Sequence, residues 1–303
     1  MLKLIGILTM LIDHIGCYFA DYLPLPVFWA MRAIGRLAFP IFAFYLVQGY
    51  RRTRSLVRYF LRLVGFGIVS ELVIAWVNRQ NDILTENYNI LFTLALSLVF
   101  IQGFQLAFYS YYSVKLRAKR QPASADYQLW YEWQKRLPLT DQIKIQLGKI
   151  DFNPNIGIPL GILMMLIVLL AECLFPTDYG IYGILLPFSL YLAEEETCRR
   201  LQAQAQEKAL NSSQVELTCL QYALQYSFIL TAVFLILSYL GIWLFPDVQL
   251  LAIIGVGLCY SKLRHTSWRA DNERPAWWQK YFFYLFYPAH IGLIGLIHYY
   301  LIK

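Results

Sequence analysis

Long apolar stretches alternate with short polar breaks along almost the whole chain. Apolar runs near 20 residues match the length a helix needs to cross a hydrocarbon core of ~30 Å. The pattern predicts nine membrane-spanning helices, at about 4–22, 27–49, 56–77, 88–113, 156–174, 178–193, 223–246, 248–263 and 278–301. Turn-forming residues mark the breaks: Pro24 and Pro26, the polar run 78–87, Pro176 with Asp178, and Pro246 with Asp247. The sixth span is short and holds Pro187, so a kink or a merger with its neighbour is expected there. The expected fold class is therefore all-α, a polytopic integral membrane bundle forming one domain over 1–303. Two cytoplasmic loops are expected, at about 114–155 and 194–222.

Composition sharpens this picture. Of the 303 residues, 58% are hydrophobic and only 15% charged, against 45–50% and about 25% in soluble domains. That excludes a disordered chain, a disulfide scaffold and a nucleic-acid module. The formal charge of +7 has a topological explanation. With the N-terminus in the cytoplasm, twenty-two Lys and Arg fall in inside segments and two, Arg79 and Lys303, outside. This is the distribution that orients membrane helices, and it predicts a multi-pass membrane protein with its N-terminus inside and its C-terminus outside. Asp13-His14 interrupts the first span and no small-residue cleavage pattern follows it, so it reads as an uncleaved helix. The five cysteines have no paired spacing and are expected as free thiols. The loop at 114–155 carries Trp130, Tyr131 and Trp133 beside Lys135 and Arg136, an interfacial composition. The loop at 194–222 begins with three glutamates and suggests a solvated helix extension. Neither carries a nucleotide-binding signature, and no internal repeat is visible.

Ionisable side chains inside spans are costly and so mark function by default. Here they are Asp13, His14, Arg32, Arg36, Glu71 and His290. Counting ~1.5 Å per residue from the span ends puts His14, Arg36 and His290 each ~14–16 Å deep, at one level from three helices. His14 is either a helix-packing histidine or a general base for an amine or hydroxyl. Asp13 can pair with Arg32 or Arg36, which would remove two intramembrane charges together. Arg32 is expected to snorkel to the outer interface. Arg36 is left as the partner of Asp13 or as the group that stabilises a developing oxyanion. A structural hydrogen-bonding role is expected for Glu71. Arg51, Arg54, Arg58 and Arg62 form a stripe at three- and four-residue spacing. The stripe is either a topology signal or a phosphate clamp for an anionic cytoplasmic cosubstrate. His265, with Arg264 and Arg269, is a weaker candidate for the same cleft, and His298 is expected at the outer interface.

Several blocks resemble the TraX family of membrane pilin acetylases: KLIGILTMLIDHIG from Lys3, GRLAFPIFAF from Gly35, NILFTL from Asn89, DYGIYGIL from Asp178 and YPAH from Tyr287. That family is similar to the larger group of transmembrane acyltransferases that use cytoplasmic acyl-CoA and carry a basic residue, ten residues and a histidine in the first helix. Lys3-x10-His14 fits that spacing. Ser70-Glu71 and the longer 114–155 loop depart from the family's pattern.

The resemblance implies an acetyl or acyl transferase with acetyl-CoA as cosubstrate and no metal. His14, Asp13 and Arg36 would be catalytic, and Lys3, Arg54, Arg58 and Arg62 would hold CoA. Asn89, Asp178, Tyr179 and His290 would contact the acceptor. The partners implied are membrane lipids, acyl-CoA and an acceptor (pilin N-terminus, glycan, lipid head group or small metabolite), with no nucleic acid. Direct transfer and a covalent acetyl-histidine both stay open. A proton-coupled transporter using the same Asp/His/Arg cluster, and a non-catalytic scaffold, are the competing classes.

Overall fold

The computed structural model describes residues 2–53, 55–81, 88–118, 154–205, 212–240, 250–263 and 277–302. Ten α-helices make up nearly all of it: α1 (Leu2–Tyr18), α2 (Leu25–Gly35), α3 (Ala38–Arg52), α4 (Leu56–Asn81), α5 (Ile90–Ala118), α6 (Pro154–Leu174), α7 (Gly180–Ala205), α8 (Ser212–Tyr239), α9 (Ala252–Leu263) and α10 (Trp277–Ile302). Among the described residues there is no β-strand, only an isolated bridge between Tyr88 and Thr177.

Among the described residues, six stretches are long and apolar enough to cross a membrane: Leu25–Arg51, Leu56–Asn81, Ile90–Phe108, Ile156–Leu174, Leu220–Tyr239 and Tyr281–Leu301. The other three expected spans differ for identifiable reasons. The first helix ends at Tyr18 after 17 residues, and the one expected at 248–263 begins at Ala252 and has 12. The one expected at 178–193 runs on through its glutamates to Ala205 as a single 26-residue helix that contains Pro187. The region 194–222 is therefore not a loop where it is described. Its first part completes α7 and its last part begins α8. Nor is it solvated at its start, since Glu194 is 0% and Glu195 2% exposed. Of the 114–155 loop, residues 114–118 finish α5 and 154–155 begin α6. The tryptophan-rich part between them lies outside the described residues, as do Arg54, Arg264, His265 and Arg269.

The expected helix at 27–49 is two helices, interrupted at Arg36-Leu37. The cause is Pro40. A proline ring clashes with the carbonyl four residues earlier and supplies no N–H to it, and here that carbonyl belongs to Arg36. Within the first turn of α3 the same proline is tolerated, so the chain restarts at Ala38. The break turns α2 across α1, where Gly35 lies directly against the Asp13 side chain.

The core gathers around α3, whose Ile41, Ala43 and Val47 are each 0% exposed. It packs on α1, α5, α7 and α9. Helix α10 packs on α1 and on α4, α4 packs on α5, and α6 lies along α5. Gly103 and Gly161 let the α5 and α6 backbones meet, since a Cβ on either would strike the other's carbonyl.

Candidate functional site

The C-terminal half of α1 presents Asp13, His14 and Cys17 to a cavity of about 420 Å³. Arg32 and Arg36 enter it from the α2–α3 break, Asn78 from α4, Asn89 from the start of α5, Asp178 and Tyr179 from the turn before α7, and Tyr287 from α10. Most of these groups sit at helix ends or breaks, where backbone geometry can aim them at one point.

Asp13 takes Arg32 as its partner, with Oδ1 2.8 Å from the Arg32 guanidinium. Arg32 therefore does not snorkel outward. Its positive charge is retained at the cavity wall by Asp13, and it also meets the Cys17 sulfur at 2.6 Å. Arg36 is left to donate to the Tyr179 hydroxyl at 3.3 Å and to lie over that ring at 5.5 Å. Among the described residues, its buried Nε has no hydrogen-bond partner. A guanidinium with an unused donor on a cavity wall is able to accept negative charge that develops there.

Tyr179 has a positive φ of 67° and Gly180 one of 55°, a left-handed pair that is costly for the tyrosine. Packing over-determines the turn. The Tyr179 ring stacks on Phe39 with centroids 4.3 Å apart. Thr177 donates its N–H and its hydroxyl to Glu172, both at 2.8 Å. Thr93 donates to the Asp178 carbonyl at 2.7 Å, and the Asp178 N–H donates to Tyr88 at 2.8 Å. Buried Glu172 thus holds the turn that places Asp178 and Tyr179. Nothing in the sequence singled it out, because a lone glutamate near a span end reads as interfacial.

His14 and His290 meet, Nδ1 to Nε2, at 2.6 Å across 276 residues of sequence. His290 is 4% exposed, and its Nδ1 lies 2.7 Å from the Phe286 carbonyl. The depth count put these two histidines at one level, and the fold makes them neighbours.

The remaining expected residues are elsewhere or otherwise engaged. Asn89 borders the cavity but is a cap: its side chain donates to Gly67 O and Glu71, each at 2.8 Å, and accepts from the Leu91 N–H at 3.1 Å. Glu71 has the structural role expected of it. Lys3 lies over the Tyr45 and Phe283 rings, 4.9 and 5.0 Å from their centroids. That is the opposite end of α1, ~16 Å from His14 by helical rise.

The arginine stripe does not form one face. Arg51 lies in the last turn of α3 and is paired with Glu194 at 2.6 Å, whereas Arg58 and Arg62 belong to α4. The first of these helices ends at Arg52 and the second begins at Leu56, so residue spacing from one to the other carries no angular meaning. Arg58 is exposed, and Arg62 lies 5.8–5.9 Å from the centroids of Tyr59, Tyr281 and Tyr284. His298 bonds Asn81 at 2.7 Å beside Phe19, and Cys17, Cys173 and Cys259 are free thiols.

The TraX protein family model matches residues 1–117, which supply His14, Asp13, Arg32 and Arg36. Over those residues, about two fifths of the chain, the protein is similar to the TraX family. A curated relative, "Probable fimbrial assembly protein FimC, serogroup H1" of Dichelobacter nodosus, is 32% identical over 108 residues. That alignment covers 32% of this chain and 43% of the relative, so the shared part is less than half of either protein. No solved structure matches the chain. The TraX segment holds one wall of the cavity. Asp178, Tyr179 and Tyr287, also on the cavity, come from the part of the chain beyond the match, as does His290 behind His14.

Proposed function

We propose that this chain is a bacterial inner-membrane acyltransferase, N-terminus in the cytoplasm, that moves an acetyl group from acetyl-CoA to an amine or hydroxyl. The observation that carries the reading is the pairing of His14 with an incompletely hydrogen-bonded Arg36 on one cavity. These are a base and an oxyanion partner. The TraX match and the relative named for fimbrial assembly support a pilin-type acceptor.

In this reading the acceptor nitrogen or oxygen attacks the thioester carbonyl while His14 takes its proton. Arg36 stabilises the tetrahedral oxyanion. Collapse breaks the C–S bond, and the histidine returns the proton to the departing CoA sulfur. Arg58 and Arg62 lie ~18 Å or more from Ile74 of the cavity along α4, at the end of the helix that faces the cytoplasm in this orientation. In this reading they meet the CoA phosphates, leaving the long pantetheine arm to reach inward. Asp178 and Tyr179, on the other side, border the acceptor's entrance.

The test is acetyl transfer by the detergent-purified full chain, using labelled acetyl-CoA with pilin N-terminal peptides, glycans and lipid head groups. Transfer should fall by at least ~10²-fold in His14→Gln, which keeps a hydrogen-bonding group but no base, with CoA binding preserved. Joint charge reversal of Arg58 and Arg62 should instead weaken CoA binding. A wild-type chain that binds no CoA and labels no acceptor would sink the proposal, as would a His14→Gln variant of normal activity.

A further inference from the structure

We infer that His290 is a positioning residue that locks His14 in its Nδ1–H tautomer, leaving the His14 Nε2 lone pair as the site's proton acceptor. The assignment follows from hydrogen-bond capacity. A backbone carbonyl only accepts, so the Phe286 oxygen, 2.7 Å from His290 Nδ1, requires a proton on that nitrogen. A neutral His290 then has a bare Nε2, which must receive its hydrogen from His14 Nδ1 at 2.6 Å. His14 Nε2 is the nitrogen left over.

Ring geometry supports a bond over a face-to-face stack. The centroids are 4.8 Å apart and the planes 19° from parallel. This separation exceeds the N···N distance by about two ring radii, which places the rings edge to edge in nearly one plane, with the shared hydrogen on the line between them. His290 is itself braced. Its ring stacks on Phe286 at 4.8 Å and 8°, and Tyr287 meets both histidines edge-on. Pro288, two residues before it, leaves the Tyr284 carbonyl without its helical donor and loosens α10 at this point. The relay from carbonyl to His290 to His14 does for this base what an orienting acceptor does for histidines in other active sites: it fixes tautomer and ring angle together.

The purpose of the base rests on the acyl-transfer reading, but the tautomer does not, and the experiment separates them. The chain has four histidines, so 15N-histidine NMR of the detergent-solubilised full chain is tractable, with His14 assigned by its loss in His14→Gln. Wild type should show a protonated Nδ1 and a bare Nε2 on His14. His290→Leu should release His14 to a mixture or to the Nε2–H form. His290→Gln, whose amide oxygen reaches about as far as the imidazole Nε2, should retain the wild-type tautomer. Acetyl transfer should follow the same order, falling ~10²–10⁴-fold in Leu and staying within about tenfold of wild type in Gln. A wild-type His14 carrying its hydrogen on Nε2 overturns the inference, and so does a Leu variant with unaltered tautomer. If His290→Leu does not fold, the wild-type spectrum and the Gln variant decide. The predicted tautomer without transfer to any acceptor would leave this inference standing and remove the acyltransferase reading instead.

Discussion

Two clusters of charge are buried in this helix bundle, and they differ in what surrounds them. At one, Arg51 of α3 meets Glu194 of α7 at 2.6 Å, and the same carboxylate accepts from Gln48 at 2.7 Å and from Tyr260 of α9 at 3.0 Å. Here Glu194 is 0% exposed and the Arg51 side chain 11%. At the other, Asp13 meets Arg32 at 2.8 Å, but Arg36, His14 and Asp178 border a cavity of about 420 Å³. The chemistry of the two ion pairs is nearly the same. The first is a staple that fixes α3 against α7 and α9. The second leaves donors and a histidine facing space that a ligand can fill. Burial of charge alone does not mark a site; charge next to unfilled volume does.

The comparison breaks most visibly at the staple. Glu194→Ala should cost about 3–5 kcal/mol of stability, because Arg51 then loses its nearest carboxylate and keeps the more distant Glu195 at 3.8 Å. The check is the thermal or denaturant midpoint, alongside acetyl transfer per folded molecule, which should stay near wild type. Partial recovery in Arg51→Met with Glu194→Leu would mark the pair as structural. The converse holds at the cavity. His14→Gln should reduce transfer by ~10²-fold or more, equivalent to ~2.7 kcal/mol of barrier, with a thermal midpoint close to wild type. If the two variants exchange their effects, the roles assigned to the clusters are wrong.

Gly35→Ala tests how closely the two sides of the cavity are fitted. Its new Cβ would strike the Asp13 carboxylate, so the Arg32–Asp13 pair must shift. A loss of about 2 kcal/mol is expected, within the range for overpacked positions, together with reduced transfer. Retained transfer and stability would mean that α2 moves freely relative to α1. The smallest effect is expected from Tyr260→Phe, which removes one hydrogen bond to Glu194. A loss of about 1.5 kcal/mol, the low end for bonds to charged groups, would show the staple to be shared among its donors. No measurable change would reduce it to the Arg51–Glu194 contact.

Hydrophobic run length made the all-helical architecture legible, because it is a one-dimensional consequence of a hydrocarbon layer. Depth was legible too: counting residues from the span ends put His14, Arg36 and His290 at one level, and two of them touch. The interruption at Arg36-Leu37 was readable in principle from Pro40, but an apolar run hides it.

What the sequence alone determined is that His14 and His290 share a level along their helices. Which side chains face one another was decided by the tertiary structure. Uniformly apolar helices give little angular preference from periodicity. Rotation about each helix axis is set instead by close contacts such as Gly35 on Asp13 and Gly103 on Gly161. That rotation gave Asp13 to Arg32 and left Arg36 for Tyr179. It also drew Arg51 out of the arginine stripe to Glu194 and brought His290 to His14 from the far end of the chain.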